Sequence, residues 1–371
     1  MNILIDARVI NPVNIDGLAV YTIQLLKRLQ YKEDNIIVLI NSIIDLSLHN
    51  IYSTNIKIVR TNISPLGIKN IINNYLLLKK YKNYIYHYPQ FNMPITNIKK
   101  TVCTIHDFKH FNNLTVFQKP IFLYKLYAQL TTKYSINKAK KVLAVSDFTK
   151  DEIIQHIPSA KNKVITIYED CDNSFKKENF EKNVLDKYNI SKEYYLYVGA
   201  WRPHKNIFNM IEAFLYMQQK TSRDDIFVFS GYKDKVYFDI KELEEKYNIF
   251  NRIKFIGYAD IKDLPSLYHY STAFMFCSLY EGFGIPILEA FNSKTPLITS
   301  DNGAMSEVAD HCSLVANPNN VLDIAKQMEY ILDVNIRNEY IKLGFKKAEE
   351  YNWDLQFEEI YQIYLDIDNA Y

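Results

Sequence analysis

Short apolar runs, each followed by a longer stretch with helical spacing, alternate along this chain in two successive series. Ile3–Asp6, Ile36–Ile40, Ile56–Arg60, Tyr84–His87, Thr101–Ile105, Val142–Val145 and Val164–Ile167 read as strands of the first series. Tyr21–Gln30, Ile68–Lys82 and Ile121–Ala139 read as helices between them. The strands of the second series are Tyr194–Val198, Ile226–Ser230, Ile253–Ile256, Ala273–Phe276 and Pro296–Thr299. Its helices include Ile207–Gln219, Tyr237–Tyr247, Ile261–Tyr270 and Pro286–Asn292. Such alternation predicts parallel sheets covered by helices. The polar stretch Cys171–Lys192 reads as a linker, and a chain of 371 residues suits two cores better than one. The expected architecture is α/β, two doubly wound domains facing a central cleft, with ligands at the carboxyl ends of the strands. The expected boundaries are 1–188, 189–352, and a terminal helix 353–371 returning to the first domain.

Composition narrows the function. No apolar stretch reaches the 18 or more residues of a membrane-spanning helix, and the opening MNILIDAR lacks the apolar core of a signal peptide. Cys103, Cys171, Cys277 and Cys312 are scattered without a Cys-x-x-Cys, which favours buried thiols in a reducing cytoplasm over disulfides or a metal site. The net charge of +2 conceals an asymmetry: residues 1–190 sum to +11 and residues 191–371 to −9. A basic first half suits a polyanionic partner, whether nucleic acid, an anionic membrane or a phosphorylated acceptor, although scattered solvated lysines give the same sum.

Chemistry concentrates in SLYEGFGIPILEAF, Ser278 to Phe291. The apolar run before it is strand-like, Gly282 and Gly284 permit a tight turn, and Pro286 suits a helix start. Backbone N–H groups at that start favour an anion. Glu281 stands just before them and Glu289 eight residues later, a spacing suited to two parts of one extended polar ligand. Taken alone, the pair is equally consistent with Glu281 capping the helix and Glu289 standing in solvent. The second series opens with YLYVGAWRPHKNIFNMIEAF, where Arg202 and Lys205 follow a strand end and Asn206 is placed to cap the next helix. Two cations beside a helix start suit a diphosphate.

YVGAWRPHKN, then SLYEGFGIPILEAF, then PLITSDNGAMSEVAD resemble the retaining glycosyltransferases of family 4, with the GT-B fold of two Rossmann-like domains. DARVINPVNIDGLAVYTIQLLKRL, YHYPQFNMP, TIHDF, VLAVSDFTKDEI and VITIYEDCD resemble that family's first domain, so the likeness spans essentially the whole chain. It is closest to the mannosyltransferase-like members that build surface polysaccharides such as O-antigen. The resemblance implies that Glu281 orients the donor sugar, Glu289 binds the ribose hydroxyls, and Arg202 with Lys205 neutralises the departing diphosphate. The backbone of Gly282, Phe283, Gly284 and Ile285 supplies further donors, a preorganised field at the leaving group. His106, at the end of a strand, is either structural or, by the resemblance, a sugar contact from the acceptor side. Gly17 matches a glycine that lets the first domain approach the donor phosphates, although the second glycine and arginine usual there are missing. Tyr258 is either a base-stacking ring or an ordinary loop aromatic.

The implied activity is a metal-independent, retaining hexosyl transfer. The donor is a nucleoside diphosphate sugar, GDP-mannose before UDP-hexose, with no cofactor, and the acceptor is a glycan or lipid-linked hydroxyl. No metal is needed where two cations and a helix start supply the charge at the leaving diphosphate. The expected location is cytoplasmic, peripheral on an anionic membrane through the basic first domain, with no nucleic acid partner. The alternatives are a same-fold sugar-nucleotide epimerase, against which the glutamate pair argues, and a catalytically silent sugar-nucleotide-binding subunit, against which the retained Glu281, Arg202 and Lys205 argue.

Overall fold

The computed structural model describes residues 1–10, 17–52, 54–65, 70–111, 121–231, 242, 243 and 245–370. They divide into two compact units. The first holds the described residues of Met1–Glu169 together with the C-terminal segment from Asn352, and the second is Asp170–Tyr351.

The first unit is built on β1 (Asn2–Asp6), β2 (Asn35–Asn41), β3 (Ile56–Thr61), β4 (Ile85–Tyr88), β5 (Thr101–Ile105), β6 (Lys141–Ala144) and β7 (Val164–Thr166). They form a parallel sheet in the order β3-β2-β1-β4-β5-β6-β7. Strands buried on both faces read as near-continuous apolar runs, and period-2 alternation divides their side chains between two cores. Ile3, Ile5, Ile36, Val38 and Ile40 face one core with Leu25, Leu26 and Leu29 of the helix Gly17–Leu29 and Phe357, Ile360, Ile363 and Ile367 of the helix Trp353–Asn369. Leu4, Ile37, Leu39, Tyr86 and Tyr88 face the other, with Leu78, Ile136 and Ile153 from the helices Ile71–Lys79, Ile121–Lys138 and Asp147–His156.

The second unit uses β8 (Tyr194–Val198), β9 (Ile226–Ser230), β10 (Ile253–Gly257), β11 (Ala273–Phe276), β12 (Leu297–Ser300) and β13 (Leu314–Ala316). Their order is β10-β9-β8-β11-β12-β13, again parallel. One face packs Tyr195, Tyr197, Phe227, Phe229 and Met275 on the helices Ile207–Thr221 and Val321–Tyr330. In both sheets strand order reverses beside the first strand of the series: at β1/β4 and at β8/β11. Those are the switch points at which crevices open beyond strand ends.

Several local expectations shift. The three-residue strand β13 carries too short an apolar run to announce itself in the sequence. The helix expected from Tyr21 begins at Gly17, so Gly17 opens the helix rather than lying in the loop before it. Most of the expected helix Tyr237–Tyr247 lies outside the described residues. The segment 171–192 is not a free linker: Phe175 is buried with its ring against Tyr268 at 5.8 Å, and Val184–Lys187 is helical. Polar composition hid this, because a few buried apolar residues anchor an otherwise exposed segment.

Candidate active site

At the β8/β11 switch point two loops meet. The turn Pro203–Lys205 follows β8, and the Glu281 turn follows β11. The backbone joins them, with Leu279 N–H donating to the His204 carbonyl at 2.7 Å. Asn206 adds a side-chain tie, its Nδ2 donating to the carbonyls of Cys277 (3.0 Å) and Pro318 (2.7 Å). Asn206 therefore does not cap the following helix with its side chain. It adopts the left-handed conformation (φ 58°), tolerable for Asn, and its amide is spent on the neighbouring loops. Ser300 Oγ donates to the Ser278 carbonyl at 2.6 Å, tying the β12 end to the same loop.

Across this junction Lys205 Nζ donates to both oxygens of Glu281, at 2.7 and 2.9 Å. The side chains are only 18% and 12% exposed, so the pair is largely desolvated. The ammonium also lies 5.5 Å from the Phe276 ring centre. Arg202 is exposed at the start of the turn, and the Lys205 N–H donates to its carbonyl at 2.8 Å. Tyr197, buried on β8, lies within the fields of both loops. Burial, then the Glu281 charge, push its hydroxyl well above the usual tyrosine range, while Arg202 pulls it down.

Gly284 opens the helix Ile285–Asn292 at φ 105°, and a Cβ there would stand 3.1 Å from Ile287 Cδ1 and 3.3 Å from Phe276 Cε1. Glycine is required by backbone and space together. Pro286 is the second residue of this helix, and Glu289 stands in its second turn. Phe283 is buried and meets Tyr351 edge-on at 5.9 Å, so its side chain belongs to the core and only its backbone is available to a ligand. Glu289 is no solvated surface group. It is half-buried, accepts from Tyr268 Oη at 2.7 Å, and is pushed up to about 7. Burial is the main cause, Asp172 adds to it, and the Tyr268 hydrogen bond opposes it.

The other expected residues stand elsewhere. Tyr258 is 60% exposed just beyond β10, the edge strand two places from β8. Gly17 and His106 belong to the first unit. A Cβ on Gly17 would meet nothing within 4 Å, so packing does not demand glycine there. His106 follows β5, with Nδ1 2.9 Å from Glu169 Oε1 and its ring edge-on to Tyr21 at 4.8 Å. Sequence reasoning missed Tyr197, Tyr268 and Glu169. Each reaches its partner through the tertiary fold, and none sits in a spacing pattern. Among the described residues no helix is long and apolar enough to cross a membrane.

This chemistry can hold an anion between two cations and a helix start, and a polyol by two carboxylates. Comparison with known proteins identifies the family. Residues 15–169 match the model of Glycosyltransferase Family 4, and residues 176–347 that of Glycosyl transferases group 1. O-antigen chain mannosyltransferase B of Escherichia coli is 30% identical over 284 residues, covering 75% of this chain and 73% of that protein. O-antigen chain mannosyltransferase RfbU of Salmonella typhimurium is 28% identical, covering 60% of this chain and 58% of that one. A crystal structure of a glycosyltransferase from Rickettsia africae shares the fold over 98% of both chains, with a TM-score of 0.74 at 19% identity. Its fold is thus that of the GT-B enzymes, and the chain belongs to the family 4 glycosyltransferases.

Proposed function

We propose that this glycosyltransferase moves mannose, with retention of configuration and without a metal, from GDP-mannose to a hydroxyl of a glycan or lipid-linked acceptor. The observation that carries this reading is the Lys205–Glu281 pair at the switch point, with Arg202 on the same turn and Glu289 one helix turn beyond Gly284. The cations and the helix start neutralise the diphosphate as it departs, a charge that a preorganised site stabilises most in the transition state. Glu281 then orients the sugar and Glu289 takes the ribose. Mannose is favoured because relatives named as O-antigen mannosyltransferases cover most of the chain. A second nucleotide class, the UDP-hexoses, is the alternative donor.

Thermal unfolding with GDP, UDP and ADP tests the base, since a ligand that binds only the folded state raises the midpoint. GDP should stabilise most, and a larger shift with UDP reassigns the donor. Release of GDP from GDP-mannose without acceptor then separates an enzyme from a binding-only subunit.

The site of action we assign is an anionic, cytoplasmic membrane surface. The helix Ile71–Lys79 exposes Ile72 (72%) and Leu76 (55%), and exposed Lys79, Lys80 and Lys82 follow. Basic residues contribute about 1 kcal/mol each near such a surface and fade within a Debye length. Sedimentation with anionic vesicles should show salt-sensitive binding that Lys79/Lys80/Lys82→Glu weakens. No binding at low salt removes this assignment and favours a soluble acceptor.

A further inference from the structure

The first unit contains a polar arrangement that the leaving-group chemistry does not use. Glu169, just beyond β7, is buried, with a side chain only 5% exposed. Its Oε1 lies 2.9 Å from His106 Nδ1, across 63 residues of sequence. The opposite ring nitrogen, Nε2, is buried and has no hydrogen-bond partner among the described residues. The ring's position is set from behind. Tyr21 meets it edge-on at 4.8 Å, and Trp353 meets Tyr21 at 5.6 Å. Tyr21 Oη shares a hydrogen bond of 3.0 Å with Thr104 Oγ1, which also bonds His87 Nε2 at 2.8 Å. His87 Nδ1 meets Tyr364 Oη in turn. The seat of His106 is therefore a continuous packed network from the β5 end to the C-terminal helix.

An ionised carboxylate accepts and cannot donate, so the proton of a neutral His106 ring sits on Nδ1. Nε2 then presents a lone pair. A buried polar atom left unpaired costs about 1–3 kcal/mol, which a ligand group would recover. We propose that Glu169 is a positioning residue for His106: it fixes the Nδ1–H tautomer and ring direction so that Nε2 accepts a hydrogen bond from a sugar hydroxyl. The inference rests on the reading of His106 as a sugar contact. It adds the group that makes that contact directional, as a carboxylate behind a histidine does in metal sites and triads.

Histidine-resolved nitrogen NMR on the intact protein reads the tautomer directly. Wild type should show His106 as Nδ1–H at a pH where the ring is neutral. Glu169→Gln keeps the size but can donate to Nδ1, and it should populate the Nε2–H form. Its kcat/KM for GDP-mannose should fall about 10-fold to 100-fold, the scale for loss of an orienting partner. In a His106→Ala background Glu169→Gln should then add nothing. An Nε2–H wild type, or an additive loss in the double variant, overturns the proposal. Glu169→Asp, which keeps the carboxylate, should recover the Nδ1–H form where Gln does not. Failure of Asp to recover it while Gln behaves like wild type also overturns the proposal.

The Nε2 signal should move on adding GDP-mannose if the hydroxyl is the donor's, or methyl α-mannoside if it is the acceptor's. A shift with neither removes the sugar from the proposal. Full activity of His106→Ala is a separate failure: it removes the sugar-contact reading and leaves the tautomer result standing.

Discussion

Lys205 Nζ bonds both carboxylate oxygens of Glu281, at 2.7 and 2.9 Å, across 76 residues of chain. The diphosphate reading and the sugar reading thus meet in one ion pair. The carboxylate that orients the sugar in the proposed mechanism also holds the lysine in place.

Lys205→Ala and Arg202→Ala should each lower turnover by about 10²–10³, the scale for losing one stabilising donor in a preorganised site. Their effects on stability should differ. Arg202 is exposed, and its loss should leave the unfolding free energy within about 0.5 kcal/mol of wild type. Lys205→Ala leaves Glu281 largely buried without its cation and should lower stability measurably. Steady-state kinetics with denaturant unfolding checks both, and wild-type turnover in either folded variant removes the diphosphate assignment.

Glu289→Ala should weaken nucleotide binding, whereas Glu281→Ala should mainly impair transfer. Calorimetry with GDP and turnover with GDP-mannose separate the two. Equal GDP affinity in wild type and Glu289→Ala would leave the ribose role without support.

The raised proton affinity of Glu289 has a consequence for stability. Between the ordinary carboxyl value of 4.5 and about 7, the folded protein holds a proton that the unfolded chain has released. Folding is therefore favoured at the acid end, and this contribution is lost as pH rises through the window, by about 1.4 kcal/mol per unit and about 3 kcal/mol in all. Glu289→Gln lacks the titration and can still accept from Tyr268. Its stability relative to wild type should rise from pH 5 to pH 8. A difference that stays constant with pH would contradict the burial of this carboxylate.

Asp6 and Arg8 form a buried pair at the end of β1. Arg8 donates through Nε to Asp6 Oδ1 (2.7 Å) and through Nη2 to Oδ2 (2.5 Å). Its Nη1 reaches Asn74 Oδ1 (2.7 Å) and the Ile63 carbonyl (2.9 Å), and Tyr86 Oη donates to Asp6 at 2.8 Å. Arg8→Met should cost about 3–5 kcal/mol, because it strands a buried carboxylate. The double variant Asp6→Asn/Arg8→Met should recover part of that loss in chemical denaturation. No recovery would mean that the loop contacts of Arg8, rather than its charge, hold the unit together.

The layers and the local chemistry follow from the order of the residues alone. Strands buried on both faces must be apolar and must alternate with amphipathic helices, so nearly every strand was legible to within a residue or two. The glycine at 284 and the cations of one turn were legible for the same reason: a short stretch of backbone sets them. Partnerships between distant segments arise only as the chain packs into its fold. Glu169 finds His106 because parallel strands bring separate loops to one sheet end, and Tyr268 finds Glu289 because the helices Leu264–His269 and Ile285–Asn292 pack together; nothing in local spacing encodes either pairing. The same holds for Asn206, whose sequence position suits a cap but whose left-handed backbone turns its amide to Cys277 and Pro318. A side chain's protonation and direction follow from what the folded chain packs around it, and that packing exists only once the sheets have formed.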